Sequence, residues 1–301
     1  MYQPIEKALV HFFADLAPET RRVFHGRGHL FEGLEHINID WFEPVLLITA
    51  YDELVTVDKL VKLVSKADKQ SQIKSILLQK RYEKGAPAEV LLGEVIDKCR
   101  VKEGDLVFEV HPGAQQNAGL FLDMRPLREW LQQYSQDKNV LNLFAYTCSL
   151  SVAALAGGAT QVTSVDMSKT SIQWGSLNHR HNHQDLRCVN SVPYNVFKSW
   201  GRIKQFGRYN TIIIDPPSRQ KGSFDVEKNY GALIKKLGSI ANPGADIIAT
   251  INSPYLGSDF LIHRFQRYAP QCRFIAEMPA SPEFADKYPE RALKICHFRH
   301  R

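Results

Sequence analysis

From about residue 105 to the carboxyl terminus the chain alternates between apolar runs and helical patterns, and this rhythm restricts its fold more than any other feature. "NVLNLFAY" precedes "SLSVAALAGG", "QVTSVDMS" precedes "KTSIQWGSLNHRHN", "LRCVN" precedes "NVFKSWGRIKQ", and "NTIIID" precedes "VEKNYGALIKKLGSIA". "ADIIATIN" then leads into "LGSDFLIHRFQRYA", and "RFIAEMP" and "LKICHFR" close the chain with no helix between them. Apolar runs without polar alternation are strands buried on both faces, which calls for a mostly parallel sheet covered by helices on each side. The fold class is therefore α/β and doubly wound, with the last two strands added as an antiparallel pair.

Residues 1–105 have another texture. The short apolar runs "PVLLITAYDE", "IKSILLQKRY" and "AEVLLGEV", with one helical stretch "VDKLVKLVSKADK", read as a smaller α+β module. The expected domains are thus 1–105 and 106–301. The opening "MYQPIEKALVHFFADLAPE" carries Glu6, Lys7 and Asp15 among its apolar positions, so it reads as an amphipathic helix rather than a secretory signal. No apolar run approaches the roughly 20 residues of a membrane helix. The five cysteines never occur as C-x-x-C, which argues against a zinc site or disulfide framework and points to a reducing cytoplasm. The histidines of "LNHRHNHQD" have no cysteine or acid at ligand spacing and read as a helix end. A net charge of +6, from 38 basic and 32 acidic residues, suits a nucleic-acid partner without requiring one.

In a doubly wound sheet, ligands sit beyond the carboxyl ends of the strands, so the residues after each strand carry the functional information. The first strand ends in "NLFAYTCSLS", which lacks G-x-G-x-x-G and so disfavours a nicotinamide oxidoreductase. Ala145, Thr147 and Ser149 still leave room for a ligand close to the backbone. The second strand ends on Asp166, 24 positions after Asn142 (166 minus 142). A carboxylate there can accept both hydroxyls of a ribose; it can equally be a helix N-cap, a task Ser168 would also perform. The fourth strand ends in Asp215-Pro216-Pro217-Ser218. Burying a carboxylate costs several kcal/mol unless partners offset it, and two prolines hold the following chain stiff. That combination invites a functional explanation.

In this order, "GLFLDMR", "NLFAYT", "VDMS", "DPPS" and "YPE" resemble the Rossmann-like S-adenosylmethionine-dependent methyltransferases that modify ribosomal RNA, in particular bacterial enzymes acting on the large-subunit RNA at a guanine N7 or a cytosine C5. The resemblance covers about residues 105–301. It implies a class I methyltransferase sheet of seven mostly parallel strands, S-adenosyl-L-methionine as cofactor, and RNA as partner. It also implies that Asn142, Phe144, Tyr146 and Thr147 shape the cofactor loop and that Asp166 holds the ribose, with Met167 beside the adenine. Asn195 then contacts the adenine amine, and Asp123 and Arg125 stand near the methionine end. Asp215 and Pro216 become the catalytic pair where cofactor meets target base.

Three departures sharpen the expectation. Cys148 stands where many relatives have glycine, and its side chain would crowd or reshape the loop. Ser253 stands where enzymes methylating C5 carry the cysteine that must add to the pyrimidine ring; a hydroxyl is a poor substitute, so a base nitrogen becomes the expected acceptor. Ser218 follows the two prolines where enzymes acting on exocyclic amines usually place an aromatic ring. RNA contacts are sought in the basic loop of Arg219, Lys221 and Lys228. They are sought also in "RRVFHGRGHLFEG", where Arg21, Arg22, His25, Arg27 and His29 surround Phe24. Either segment could equally be an ordinary basic surface. The small RNA-binding barrel that begins the C5 enzymes has no recognisable pattern here. The rival readings are a methyltransferase of proteins or small molecules, and a non-catalytic RNA-binding protein on the same fold.

Overall fold

The structure is a computed structural model that describes residues 2–14, 19–220 and 224–301. It divides into two compact units, one of Met1–Leu122 with Ser281–Pro289, the other of Asp123–Ala280 with Glu290–Arg301.

The first unit opens with α1 (Gln3–Phe12), which buries Ile5 and Leu9, one helical turn apart. A five-stranded sheet follows, built from β1 (Arg21–His25), β2 (Ile37–Phe42), β3 (Val45–Ala50), β4 (Ser75–Lys80) and β5 (Ala88–Gly93), in that spatial order. Helix α2 (Val57–Ala67) carries the chain from β3 to its parallel neighbour β4, and buries Leu60, Val64 and Ala67 on one face. The three apolar runs became β3, β4 and β5 as the sequence suggested; β1 and β2 were not anticipated. A separate hairpin joins β6 (Cys99–Glu103) to β7 (Leu106–Val110).

That hairpin corrects the expected boundary. Position 105 lies in its turn, where Glu103 pairs with Leu106 and Gly104 supplies the positive φ of 56°. "DLVFEV" therefore completes a ladder begun by "CRVKE" instead of opening the parallel domain, and the unit runs on to Leu122. A second correction concerns "RRVFHGRGHLFEG". Phe24 is only 3% exposed and packs on Phe31 at 5.0 Å, so it offers no face to an unstacked base. Arg22 forms a two-pronged pair with Asp40 (2.7 and 2.9 Å), and Arg27 lies over the Tyr51 ring at 4.1 Å. Burial, with Arg22 and Arg27 close by, holds the His25 pKa down at about 3. Much of this cluster serves the unit's own packing.

The second unit contains α3 (Arg125–Tyr134), β8 (Asn139–Leu143), α4 (Ser149–Ala156), β9 (Gln161–Val165), α5 (Lys169–His181), β10 (Val189–Val192), α6 (Trp200–Gln205) and β11 (Tyr209–Ile214). A two-stranded ribbon follows, β12 (Arg219–Gln220) with β13 (Phe224–Asp225). Then come α7 (Val226–Ile234), β14 (Ala241–Ile251), α8 (Ser258–Tyr268), β15 (Cys272–Met278) and β16 (Lys294–His300). Seven strands form one sheet in the order β10-β9-β8-β11-β14-β16-β15. The first five run parallel, and β16 lies antiparallel to both β14 and β15. The isoleucine run of β11 sits at the centre, with Ile212, Ile213 and Ile214 all fully buried. "LRCVN" is mostly not strand: Asp185 caps a 3-10 turn over Leu186–Cys188, and β10 begins only at Val189. Strand order reverses direction at β8 and β11, so the carboxyl ends of β8, β9 and β11 form the crevice where such sheets take ligands. Among the described residues no helix is long and apolar enough to cross a membrane.

Candidate functional site

Strands β8 and β9 end side by side, with Leu143 paired to Val165. The loop leaving β8 has positive φ at Phe144 (62°), Tyr146 (48°) and Cys148 (61°). A residue with a Cβ pays steric strain there, on the order of 1 kcal/mol each, so the surrounding structure must hold the loop in place. Ala145 N–H donates to the Val165 carbonyl (3.0 Å), and Asn178 of α5 donates to the Thr147 carbonyl (2.9 Å). Tyr146 N–H donates to Asp166 Oδ2 at 2.9 Å. The loop has the left-handed turns of a glycine-rich ligand loop without its glycines, a feature invisible in the residue types.

The other Asp166 oxygen accepts from Ser168 N–H at 2.8 Å. Ser168, not Asp166, caps α5, its Oγ accepting from Ser171 N–H at 3.1 Å. The capping alternative therefore goes to the serine. Asp166 is left as a carboxylate oriented by two backbone donors, each oxygen keeping further accepting capacity. Beside it Met167 is 47% exposed. Asn195 is an N-cap, its Oδ1 accepting from Phe197 N–H at 2.9 Å. That bond uses one of the two lone pairs of its oxygen and leaves the other for the adenine amine that the resemblance assigns to it.

Cys148 does not protrude into the crevice. It is 2% exposed, clusters with Ala145 and Ile172, and turns toward Gly175 of α5. A Cβ placed on Gly175 would stand 2.3 Å from the Cys148 sulfur, so the glycine makes room for the thiol. The expected crowding at this position is relieved by a residue 27 positions later (175 minus 148). Asn142, 1% exposed, donates to Ser151 Oγ of α4 at 3.0 Å, and that oxygen meets Ser164 Oγ of β9 at 2.8 Å. Its Oδ1 has no hydrogen-bond partner among the described residues. Asn142 acts on the loop from beneath, by fixing the helix that starts there. Thr147, 1% exposed, contributes through its backbone.

Asp215 stands at the end of β11, half-buried, and its Oδ1 accepts from Thr250 Oγ1 at 2.5 Å. Burial lifts its carboxyl pKa to about 6 against the Thr250 hydrogen bond, and the Asp123 carboxylate adds to the rise. Asp123 is thereby brought to the Asp215 corner. Arg125 pairs with Glu129 one turn along α3 at 2.8 Å. Pro216 is buried and Pro217 exposed, and the Ser218 hydroxyl donates to the Asn252 carbonyl, tying the proline turn to the end of β14. Tyr230 of α7, fully buried, donates to the carbonyls of Ile214 (3.2 Å) and Thr250 (3.1 Å) and so clamps the same two strand ends. Phe224 packs under the first loop, 5.2 Å from Phe144.

Thr250 and Tyr230 escaped the sequence reading. Pairing β11 with β14 would have found Thr250, since Ile214 pairs with Ala249 and the next residues face each other. Tyr230 carried no signal beyond being one polar-tipped ring on an inward helix face. Ser253 is 7% exposed; its Oγ accepts from Tyr255 N–H (3.3 Å) and its carbonyl from the buried Lys294 ammonium (2.7 Å). Tyr255, two residues on, is 91% exposed. Burial pushes the thiols of Cys99, Cys148 and Cys296 up to about 12 and that of Cys272 up to about 11. Of the basic loop, Lys228 is exposed in the first turn of α7, while Lys221 lies outside the described residues.

The sequence profile of the S-adenosylmethionine-dependent methyltransferases matches residues 21–299. Over 287 residues the chain is 30% identical to the ribosomal RNA large subunit methyltransferase K/L of Hahella chejuensis, covering 88% of this chain and 38% of that protein. With the protein of the same name from Methylococcus capsulatus the identity is 35% over 180 residues, covering 58% of this chain and 24% of the relative. The chain thus spans well under half the length of these curated relatives. A crystal structure assigned as a methyltransferase and complexed with SAH superposes with a TM-score of 0.84 at 25% identity, covering 99% of this chain and 80% of the other. The SAM-dependent methyltransferase from Agrobacterium tumefaciens, at 17% identity and TM-score 0.67, covers 88% of this chain and 87% of its own and shares the fold.

Proposed function

The chain belongs to the S-adenosylmethionine-dependent methyltransferase family, and on that premise we propose that it transfers a methyl group to RNA, at a base nitrogen such as guanine N7 of large-subunit ribosomal RNA. The observation that carries the reading is the conjunction of Asp166 and Asp215 at the ends of β9 and β11, the two strands that flank β8, each carboxylate held by defined donors. The crevice fits the family's cofactor. Asp166 offers acceptors to a ribose, and exposed Met167 offers an apolar flank to an adenine. When bound, S-adenosylmethionine supplies a methyl group already activated on a sulfonium.

What remains for the protein is orientation and electrostatics. Phe144, Tyr146 and the Thr147 backbone form the wall of the cofactor loop, and Asp123 and Arg125 border the methionine end. Asp215, ionised above its pKa of about 6, accepts a hydrogen bond from an N–H of the target base. Pro216 keeps that carboxylate from swinging, and the exposed Tyr255 ring is available to stack on the base. A ring nitrogen has its own lone pair and needs no covalent catalyst. Ser253, at the position of the C5 enzymes' cysteine, has its hydroxyl engaged with the chain, and the buried thiols hold their protons firmly. Both observations favour nitrogen over C5.

The relatives are named for large-subunit ribosomal RNA, and the basic balance of +6 supports the same substrate. Five free cysteines agree with a cytoplasmic setting. Incubating the purified chain with cofactor and large-subunit RNA, then digesting to nucleosides for mass spectrometry, tests the reading. N7-methylguanosine or another N-methylated base, lost in Asp166→Ala and Asp215→Asn, is the expected result. 5-Methylcytosine, or methylation confined to protein, overturns it.

A further inference from the structure

At the opposite, amino-terminal end of the same sheet the second unit has a recess of about 520 Å³, lined in part by Trp130, Tyr134, Lys138, Asn210, Asp246 and Arg299. Its floor is Asp246 on β14, 5% exposed. Asp246 Oδ1 accepts from Arg299 Nη2 (2.7 Å) and His297 Nε2 (2.8 Å), and Oδ2 from Lys138 Nζ (2.9 Å). Two permanent cations thus meet one carboxylate, a surplus of one positive charge. Lys138 and Arg299 have more N–H bonds than Asp246 can take, and their side chains stay 25% and 49% exposed.

Above the charges stands an aromatic pair. Trp130 and Tyr134 are four residues apart on α3, hence on one face, with ring centroids 5.2 Å apart. The Lys138 ammonium lies 5.7 Å from the Trp130 ring centre, and Tyr134 is 47% exposed. The buried ion cluster alone would account for Asp246, but not for an exposed Tyr134 ring, a half-buried Trp130 ring and spare donors opening into one recess. The volume is that of a small-ligand site, and rings beside surplus cations are what a base joined to a phosphate requires.

We propose that this recess binds a nucleotide unit, base against Tyr134 and Trp130 and phosphate on Arg299 and Lys138, with a single-stranded stretch of RNA as its source. The source rests on the RNA reading above; the recess itself does not. Asp246 lies four residues before Thr250 on β14, roughly 13 Å at strand rise, so this site is separate from the catalytic corner.

Fluorescence anisotropy with a labelled single-stranded RNA tests it on the full chain. Tyr134→Ala should weaken binding by roughly 5- to 150-fold, the range seen when a stacking ring is removed, while Tyr134→Phe retains it. Arg299→Gln leaves Asp246 with Lys138 and His297 and should flatten the salt dependence by about one phosphate contact. Calorimetric affinity for S-adenosylmethionine should be unchanged in all three. Wild-type RNA affinity in both Tyr134→Ala and Arg299→Gln would overturn the proposal. Should the unmodified chain bind no RNA, the substrate reading fails separately, and AMP becomes the probe. Saturable AMP binding that Tyr134→Ala abolishes then upholds the nucleotide site, and absence of AMP binding removes it.

Discussion

Two carboxylates carry the account, and they make opposite demands on their surroundings. Asp215 has a folded pKa of about 6, raised by burial above its ordinary value near 4. A group held protonated by the fold favours folding most at low pH, and that contribution fades as pH rises from about 4 through 6. Ionisation is what the chemistry needs, so activity should move the other way. Methyl transfer by the parent chain should rise along a limb with an apparent pKa near 6 in a pH–rate profile. Asp215→Asn should lose most of the turnover, lack that limb, and melt no lower than the parent at pH 8. A parent profile flat from pH 5 to 8 would separate Asp215 from catalysis. Asp166→Ala should weaken cofactor affinity by 10-fold or more in calorimetry, because a ribose then loses both acceptors and Tyr146 N–H loses its partner. Both residues were legible because a carboxylate ending an apolar strand stands out in the sequence. The directions of Asn142 and Asn195 were not, since helices that no spacing reveals turn one beneath the loop and make the other a cap.

Elements meet most closely where α5 packs on the first loop. Gly175 leaves room for the Cys148 sulfur, so the two positions should behave as one unit. Gly175→Ala should lower the melting temperature and weaken cofactor binding several-fold, because the added methyl drives Cys148 into a loop already strained at three residues. Adding Cys148→Gly removes the clash and suits φ 61°, so the double variant should recover most of the loss. Additive effects in a double-mutant cycle would contradict this coupling. The sequence announced the strands and helices of the parallel sheet through their apolar texture. It concealed β1, whose "RRVFH" looks basic although Phe24 faces the core, and it disguised the β6–β7 hairpin as the start of the next domain.

At the scale of the whole molecule, the parallel sheet ends in two differently charged regions: carboxylates at the carboxyl rim, and surplus cations at the amino end. Burial alone would raise the Asp246 pKa, but hydrogen bonds from His297 and Lys138, with Arg299 beside them, outweigh it and hold the value at about 2. A depressed carboxyl contributes stability above its unfolded pKa near 4, and that contribution disappears as pH falls toward 2. Asp246→Asn should therefore cost on the order of 2 kcal/mol at pH 7 in urea denaturation, and the difference from the parent should shrink between pH 4 and 2. The parallel arrangement of the sheet followed from sequence texture, whereas this ion cluster did not, because Lys138, Asp246 and Arg299 are far apart in sequence and meet only once β16 pairs with β14. The central claim is that a cofactor lies across the carboxyl rim between Asp166 and Asp215. A crystal structure of the chain with S-adenosylhomocysteine tests it most directly. The account predicts ribose hydroxyls within hydrogen-bond distance of Asp166 and the sulfur facing Asp215; a nucleoside seated elsewhere on the sheet, or a rim that stays closed at saturating ligand, would contradict it.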